Sequence, residues 1–296
     1  MLKEIEEFID YLKYQKNYST CTYNSYKKDL IEYKSFIDDN KLDFKNIKYE
    51  DAVNYIKLLN EKNNSKSSIS RKLSSIRTFY KYLVLNKVTQ KNIFLLVSSP
   101  KKEKKIPKFI NYNDIEEIFN IPNTNTKEGQ RERLILEILY GCGIRVSELV
   151  NIKLKDIDLN NKTILIYGKG SKEIIVSFGE YAKEIIHTYI NNGRKQLLNN
   201  LESEYLIVGK DKPNLTTRRI EQIIDDIIKR TSIKLNITPH VFRHTFATHL
   251  LDNGCDLLAV QELLGHTSLS STEIYTHVSN EHLREVYRKC HPRNNK

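Results

Sequence analysis

The sequence predicts a mainly α-helical protein of two domains that contains one small β-sheet. Apolar residues recur at helical spacing through most of the chain, and only the segment 163–178 carries two β-branched runs around a glycine-rich turn. A third observation is the segment 98–107, which has two prolines, a run of charged residues and no periodicity, and therefore predicts an extended linker. The 296 residues are enough for one large or two medium domains.

Four amphipathic helices are predicted in the N-terminal domain, residues 1–86. Their apolar faces comprise Ile5, Phe8, Ile9 and Leu12; Tyr23, Tyr26, Leu30, Tyr33 and Ile37; Ala52, Val53, Ile56 and Leu59; and Ile69, Leu73, Ile76, Tyr80 and Leu83. Ser19 or Thr20 can cap the second helix. The other face of the fourth helix carries basic and hydroxyl side chains: Lys66, Ser70, Arg71, Ser74 and Arg77. Such a face suits phosphate contacts, and it is equally compatible with an ordinary solvated surface.

The C-terminal domain is predicted to span residues 106–290, after a linker at 87–105 and before a tail at 291–296. Helical spacing predicts helices at 114–119, 131–140, 180–198 and 218–229. Thr238 and Pro239 mark the start of a further helix, because threonine caps helices and proline suits the first helical position. The segment 163–178 predicts a hairpin with Lys169 at its tip or on the edge of its first strand.

Charge and composition narrow the function. The net charge is +11, and residues 1–105 hold 22 basic and 13 acidic side chains against 26 and 24 in the remainder. This asymmetry indicates a module that docks on a polyanion, most often nucleic acid. The four cysteines are scattered without a CxxC pair, which argues against structural zinc and for a reducing compartment. The longest apolar run, Ile93–Val97, is too short to cross a membrane, so we expect a cytoplasmic protein.

Side chains with catalytic potential concentrate in the last third of the chain, where seven of the eight histidines lie between positions 240 and 291. No HExxH, GxSxG or GxxxxGK[ST] motif occurs, which argues against a metallohydrolase, a serine hydrolase and a P-loop. Clustered Arg, Lys, His and Tyr suit phosphoryl chemistry, in which arginines neutralise a phosphate and a tyrosine attacks it. A structural role remains the alternative for any single histidine.

Five motifs, in order along the chain, resemble the tyrosine recombinase (phage integrase) family, and most closely its Xer-type bacterial members. They are Gly141–Leu149 with Arg145, Gly168–Gly170 with Lys169, His240–Leu250 with Arg243, Leu264–His266, and Ile274–His277 with Tyr275. The resemblance covers almost the whole chain, and Ser70–Arg77 is similar to the family's core-binding domain. One departure is Ile174 and Ser177, where many Xer-like members have a basic residue and a proline.

The resemblance implies a fold and a set of catalytic residues. The fold is an N-terminal four-helix core-binding (SAM-like) domain and a C-terminal α+β catalytic domain that form a C-shaped DNA clamp. The implied catalytic residues are Arg145, Lys169, His240, Arg243, His266 and Tyr275. The tyrosine would attack the scissile phosphate, form a 3′-phosphotyrosyl bond and release a 5′-hydroxyl, without ATP, metal or another cofactor. The two arginines would hold the non-bridging oxygens, where their fork geometry matters.

The remaining implied roles concern protons and support. Lys169 would protonate the leaving 5′-oxygen, His240 would act as a base toward Tyr275, and His266 would hydrogen-bond the phosphate. We expect an ion pair from Glu148 to support Arg145. Three further histidines are expected to be structural: His244, His249 and His277. Lys172 of the hairpin joins the basic face of the fourth helix as an implied DNA contact.

The implied partners are a double-stranded recombination site, a homo- or hetero-tetramer on two duplexes, a paralogous recombinase and a DNA translocase. The implied role is the resolution of chromosome or plasmid dimers at cell division, at the nucleoid. An apolar stripe in the tail, formed by Leu283, Val286, Tyr287 and Cys290, packs on its own domain or, as the resemblance implies and we prefer, on a neighbouring subunit. The alternatives are a phage or mobile-element integrase, a type IB topoisomerase and a non-catalytic DNA-binding protein.

Overall fold

The structure is a computed structural model that describes residues 1–100, 109–168, 173–265 and 286–293. The chain divides into two compact units, Met1–Lys105 and Ile106–Lys296, and each has a hydrophobic core of its own. None of the described helices combines the length and the apolar composition that crossing a membrane requires.

The described part of the N-terminal unit is built from four α-helices. They are α1 (Leu2–Asp10), α2 (Thr20–Asp39), α3 (Tyr49–Glu61) and α4 (Lys66–Leu85). A π-helical turn, Tyr11–Gln15, continues α1, and a 3₁₀ helix, Ile93–Leu95, follows α4. Local signals explain the starts: Ser19 is the cap residue of α2, and Ser65 Oγ accepts the Ser68 N–H at the start of α4. The prediction of a four-helix unit is confirmed.

The core of this unit lies between α1, α2, α3 and α4 and is rich in aromatic rings. Tyr33 and Tyr80 are buried, their hydroxyl groups lie 3.0 Å apart, and the Tyr80 hydroxyl donates to Phe44 O at 2.8 Å. Phe94 and Val97 are buried in the same core. The unit therefore extends past residue 86, into the segment predicted as linker, because burying these two side chains removes apolar area from water.

Arg77 of α4 fastens that extension to the helix. Its guanidinium group donates to Phe94 O at 2.9 Å, to Val97 O at 2.6 Å and to Ser99 Oγ at 3.0 Å. The donors that sequence reasoning assigned to DNA are thus used inside the unit.

Replacing Arg77 by alanine is expected to lower the free energy of unfolding by about 2 kcal/mol, because carbonyl groups lose charged donors. Urea unfolding of the full chain, followed by tyrosine fluorescence, measures this. Ser74→Ala on the exposed face of α4 is the control and should change stability by less than about 0.5 kcal/mol. Equal effects of the two substitutions would contradict the structural role of Arg77.

The described part of the C-terminal unit contains eight α-helices and a three-stranded antiparallel sheet. The helices are α5 (Tyr112–Asn120), α6 (Lys127–Cys142), α7 (Val146–Leu149), α8 (Glu180–Asn191), α9 (Gly193–Leu198), α10 (Thr217–Ile228), α11 (Pro239–Asp252) and α12 (Leu257–Leu263). The strands are β1 (Ile157–Asp158), β2 (Thr163–Tyr167) and β3 (Glu173–Ser177), in the order β1-β2-β3. The hairpin prediction is confirmed, and Tyr167 pairs with Glu173 at the end of the ladder. The two-residue strand β1 was not predicted.

The central element of this unit is α6, which is buried along most of its length and packs against α8, α9 and α11. The predicted helix 180–198 is divided at Asn192 into α8 and α9. Gly193 N–H donates to Gln130 Oε1 of α6 at 2.9 Å, so the backbone group that would extend α8 has a tertiary partner instead. This packing fixes the position of the end of α6, which leads into the first arginine motif.

The described residues of the C-terminal tail, 286–293, pack on their own unit. The Tyr287 hydroxyl is buried and donates to Gly141 O at 2.9 Å, and Arg293 pairs with the buried Glu137 at 2.5 Å. His291 is buried against the ring of Tyr287, and Asn253 Nδ2 donates to Cys290 O at 2.9 Å. In this single chain the described part of the tail packs on its own domain, whereas the sequence analysis preferred packing on a neighbouring subunit. Docking on a neighbouring subunit stays a prediction.

Burial of His291 gives the fold a pH dependence. Burial lowers the pKa of His291 to about 3, opposed by a contact with the Tyr140 carbonyl. The unfolded chain, with an ordinary histidine pKa of about 6.5, therefore binds the proton first as pH falls. The free energy of unfolding should be fully retained above pH ~7 and should fall below it, by at most about 1.4 kcal/mol per pH unit for this group.

His291→Gln should make this fall shallower between pH ~7 and pH ~5, as measured by urea unfolding at several pH values. Asn253→Ala is the matched control, because it removes another tail contact without removing a titratable group. It should lower stability equally at every pH. An unchanged slope in His291→Gln would show that this histidine does not cause the pH dependence.

Candidate functional site

Arg145 lies at the start of α7, where Glu148 holds it at two points. The Arg145 N–H donates to Glu148 Oε2 at 2.7 Å, and Arg145 Nη1 donates to Glu148 Oε1 at 2.7 Å. A glutamate three residues after the cap residue satisfies a helix-start N–H in this way in many proteins. The Glu148 side chain is 5% exposed and that of Arg145 is 39% exposed. The expected ion pair is confirmed.

The turn before Arg145 brings the first arginine motif onto α11. Gly143 ends α6 in the left-handed conformation, with φ of 61°, and a Cβ atom there would lie 2.4 Å from Phe246 Cδ1. Only glycine fits both constraints without strain. The Gly143 carbonyl accepts from Arg243 Nη1 at 2.7 Å. The second arginine is therefore held by the backbone of the first motif.

Arg243 also contacts the fourth motif segment, Leu264–His266. Its Nη2 donates to Leu264 O at 2.6 Å, in the residue pair that precedes His266. Gly265 has a φ of 62°, and a Cβ atom there would lie 2.7 Å from Ile174 Cδ1 of β3. The described residues thus bring together parts of three motif segments, namely the turn before Arg145, α11 and Leu264–Gly265, and strand β3 of the hairpin packs against the last of these.

The two guanidinium groups influence each other. Burial and the positive charge of Arg145 together lower the pKa of Arg243 to about 10, and Glu148 opposes both effects. Neighbouring cations repel, so this pair forms a site that favours an anion. Within the described residues, the two contacts of Arg243 use carbonyl oxygens, and its remaining N–H donors are left for such an anion.

His240 lies in the first turn of α11, three residues before Arg243, and its side chain is exposed. It borders a cavity of about 450 Å³ between α10 and the start of α11. The lining of this cavity also includes Arg218, Glu221, Gln222, Asp225, Ile237, Thr238 and Pro239. The structure therefore leaves His240 accessible on the same helix as Arg243.

Of the other two motif histidines on α11, His249 is structural, as expected. It is buried, its Nδ1 lies 2.8 Å from the Tyr140 hydroxyl, and its ring stacks on Tyr112 with centroids 3.9 Å apart. Burial lowers its pKa, opposed by Asp252. These contacts join α11 to α6 and α5. His244 is half-buried on the same helix.

Three of the six implied catalytic residues lie outside the described residues: Lys169, His266 and Tyr275. The implied DNA contact Lys172 and the histidine His277 lie outside them as well. In the part of the chain that is described, no group of three or more His, Cys, Asp and Glu side chains is placed to share a metal ion.

The implied DNA contacts of the N-terminal unit lie on α4 and differ in their surroundings. Lys66, Arg71 and Ser74 are exposed, and Ser70 is half-buried. Arg71 pairs with the buried Asp29 of α2. Arg77 makes the contacts with residues 94–99 described above.

Sequence reasoning missed the backbone acceptors of Arg243 and the carboxylate partner of Arg71. The Gly143 and Leu264 carbonyl oxygens carry no side-chain signal, and Phe246 looks like an ordinary core residue in its helix. A glycine directly after a helical pattern was the one local signal, because glycine is common where helices end. Asp29 was missed because it reads as a surface residue of an amphipathic helix.

Family comparisons agree with this geometry. The model of the phage integrase family matches residues 108–282, and the model of its N-terminal SAM-like domain matches residues 5–87. The tyrosine recombinase XerC of Anoxybacillus flavithermus is 45% identical over 289 residues, which cover 97% of this chain and 96% of that protein. The chain belongs to the phage integrase family. The resemblance to its Xer-type tyrosine recombinases is confirmed, and the chain is a site-specific DNA recombinase of this type.

Solved structures of phage integrase family recombinases share the fold. The site-specific recombinase XerH, solved in a pre-cleavage complex with its difH substrate, superposes with a TM-score of 0.69 at 23% identity, over 96% of this chain and 82% of that one. A lambda integrase tetramer bound to a Holliday junction gives a TM-score of 0.68 at 15% identity, over 91% and 78%. At these identities the likeness concerns the fold alone.

Replacing Glu148 by glutamine should slow strand cleavage by about 10- to 100-fold, because Arg145 loses a charged partner that fixes its guanidinium group. The rate is measured in single-turnover cleavage of a nicked duplex at saturating protein. Asp156→Asn is the matched control, since Asp156 Oδ2 accepts the Lys153 N–H at the start of a 3₁₀ helix, Leu154–Asp156, in the same unit. We expect Glu148→Gln to cleave the duplex more slowly than Asp156→Asn. Equal rates in the two variants would contradict the positioning role of Glu148.

Proposed function

We propose that this recombinase exchanges strands between two DNA sites through a 3′-phosphotyrosyl intermediate and a Holliday junction, and that it resolves chromosome or plasmid dimers at cell division. The observation that carries the chemistry is the pair of guanidinium groups of Arg145 and Arg243, held on Glu148 and on two backbone carbonyl oxygens. Such a pair matches the non-bridging oxygens of a phosphodiester.

The proposed cleavage conserves the number of phosphate ester bonds. The Tyr275 oxygen attacks phosphorus, the bond to the 5′-oxygen breaks, and Lys169 supplies the proton to that oxygen. His240 accepts the proton of the tyrosine, and His266 hydrogen-bonds the phosphate. In the second step a 5′-hydroxyl of the partner duplex attacks the phosphotyrosine and releases the enzyme, so the reaction needs neither ATP nor a metal.

The two arginines stabilise the negative charge that grows on the phosphate oxygens during attack. Donors that are already fixed in place stabilise that charge without reorganising. Arg145 is fixed by Glu148, and Arg243 is fixed by the carbonyl oxygens of Gly143 and Leu264. Lysine would preserve the charge at either position but would lose the two-point geometry.

The proposed partners follow from the relatives. High identity to a XerC recombinase over nearly the full length supports the housekeeping role over that of a mobile-element integrase. The DNA-bound tetramer of the lambda integrase structure supports an assembly of four subunits on two duplexes. A paralogous recombinase, a DNA translocase and a cytoplasmic, nucleoid-associated location complete the proposal.

A duplex with a nick close to the cleavage site tests the chemistry, because the short strand diffuses away and traps the covalent complex. The wild-type chain should form a protein–DNA adduct that resists denaturant, in the presence of a metal chelator. Tyr275→Phe should form none, because the nucleophilic oxygen is absent.

Tyr49→Phe, at an exposed tyrosine of the N-terminal unit, is the control and should form the adduct normally. An adduct that persists in Tyr275→Phe, or cleavage that stops when metal is removed, would refute the mechanism.

A further inference from the structure

A buried carboxylate lies beneath an exposed arginine in the N-terminal unit. The Asp29 side chain on α2 is 2% exposed, and that of Arg71 on α4 is 47% exposed. Asp29 Oδ2 accepts from Arg71 Nη1 and from Ser75 Oγ, the latter at 2.8 Å. Arg71 Nη1 also donates to Ser25 Oγ at 2.7 Å. Two acceptors on α2 therefore hold one end of the guanidinium group.

Helix packing alone does not explain this pair. A buried carboxylate loses its hydration, and an apolar side chain of similar size usually stabilises a helix interface at least as well. The neighbouring α2–α4 pair shows the contrast: Lys72 Nζ lies 2.5 Å from Glu32 Oε2, and there the cation is the buried partner, at 8% exposure against 30%. In the Asp29–Arg71 pair the acid is buried and the cation reaches solvent.

The anchoring leaves the rest of the guanidinium group available. In the described residues the contacts of Arg71 with Asp29 and Ser25 both use Nη1, so these hydrogen bonds do not occupy Nη2 or Nε. An arginine free in solution loses about 2 kcal/mol of rotamer entropy when it is fixed. A side chain that is already fixed loses less on binding, which favours association.

We propose that Asp29, assisted by Ser25, is a positioning residue that holds Arg71 for a phosphate of the recombination-site DNA. The inference rests on the proposed function and deepens it by naming the group that orients a DNA contact. The exposed hydroxyl of Ser74, one turn along α4 from Arg71, lies on the same face.

Charge and positioning predict opposite results when Asp29 is changed. Asp29→Asn raises the net charge by one, and a more positive protein binds DNA more tightly when electrostatics alone decides. Loss of the anchor instead weakens binding, because Arg71 must be ordered when it meets the phosphate. Glu32→Gln raises the charge by the same amount on the same helix without touching Arg71, and it is the matched control.

The experiment measures fluorescence anisotropy of a labelled duplex chosen by binding-site selection with the wild-type chain, at several salt concentrations. Asp29→Asn should raise Kd by about 3- to 10-fold, whereas Glu32→Gln should leave Kd unchanged or lower it. Arg71→Ala should flatten the slope of log K against log salt by about 1. Adding Asp29→Asn to Arg71→Ala should leave Kd unchanged or lower it, as Glu32→Gln does, because the anchor then has nothing to position.

Two further measurements separate positioning from folding. Thermal melts must show that each variant is folded at the assay temperature, and Ser25→Ala, which buries no unpaired charge, should weaken binding by about twofold even where Asp29→Asn does not fold.

Binding by Asp29→Asn as tight as that of Glu32→Gln would overturn the inference, as would normal binding and an unchanged salt slope in Arg71→Ala. In both cases the proposed function stands if the wild-type chain still forms its covalent complex. Failure of the wild-type chain to form that complex would refute the proposed function itself.

Discussion

Repulsion between two neighbouring guanidinium groups is the constraint around which the C-terminal unit is arranged. The pKa of Arg243 is lowered to about 10 by burial and by the charge of Arg145. Glu148 offsets this repulsion from one side, and the carbonyl oxygens of Gly143 and Leu264 offset it from the other. A phosphate bound by the two arginines removes the remaining repulsion, because its negative charge attracts both.

The same device occurs in both units. Arg145 and Arg71 are each partly exposed, and each is held by a carboxylate that is almost fully buried, Glu148 or Asp29. The net charge of +11 does not reveal this arrangement. Each of these two arginines is paired with an acid that cancels its contribution to the net charge and fixes its position. These acids subtract from long-range attraction to a polyanion and add to geometric definition at short range.

Local signals explain which parts of the fold were predictable. The start of α11 was predicted because Thr238 and Pro239 act within a single helical turn. The break between α8 and α9 was not, because it depends on Gln130, which is far away in sequence. Arg77 was predicted to contact DNA from its position on α4, yet it donates to carbonyl oxygens of residues that follow the helix.

The candidate site divides in the same way. Motif resemblance identified Arg145, His240 and Arg243 as candidate site residues. Helical spacing correctly placed His240 and Arg243 on one helix. The acceptors of Arg243 are backbone atoms, which no side-chain pattern can reveal. For Lys169 and Tyr275 the motif resemblance remains the only guide, because they lie outside the described residues.

The close approach of Gly143 to Phe246 has a consequence for how sequences of this kind diverge. The two residues belong to different motifs, and the space that the phenyl ring fills is the space that a side chain at position 143 would need. A larger residue at position 143 requires a smaller one at position 246, together with a backbone that no longer turns left-handed. We therefore expect the residues at these two positions to vary together in related sequences, linked by shape rather than by charge.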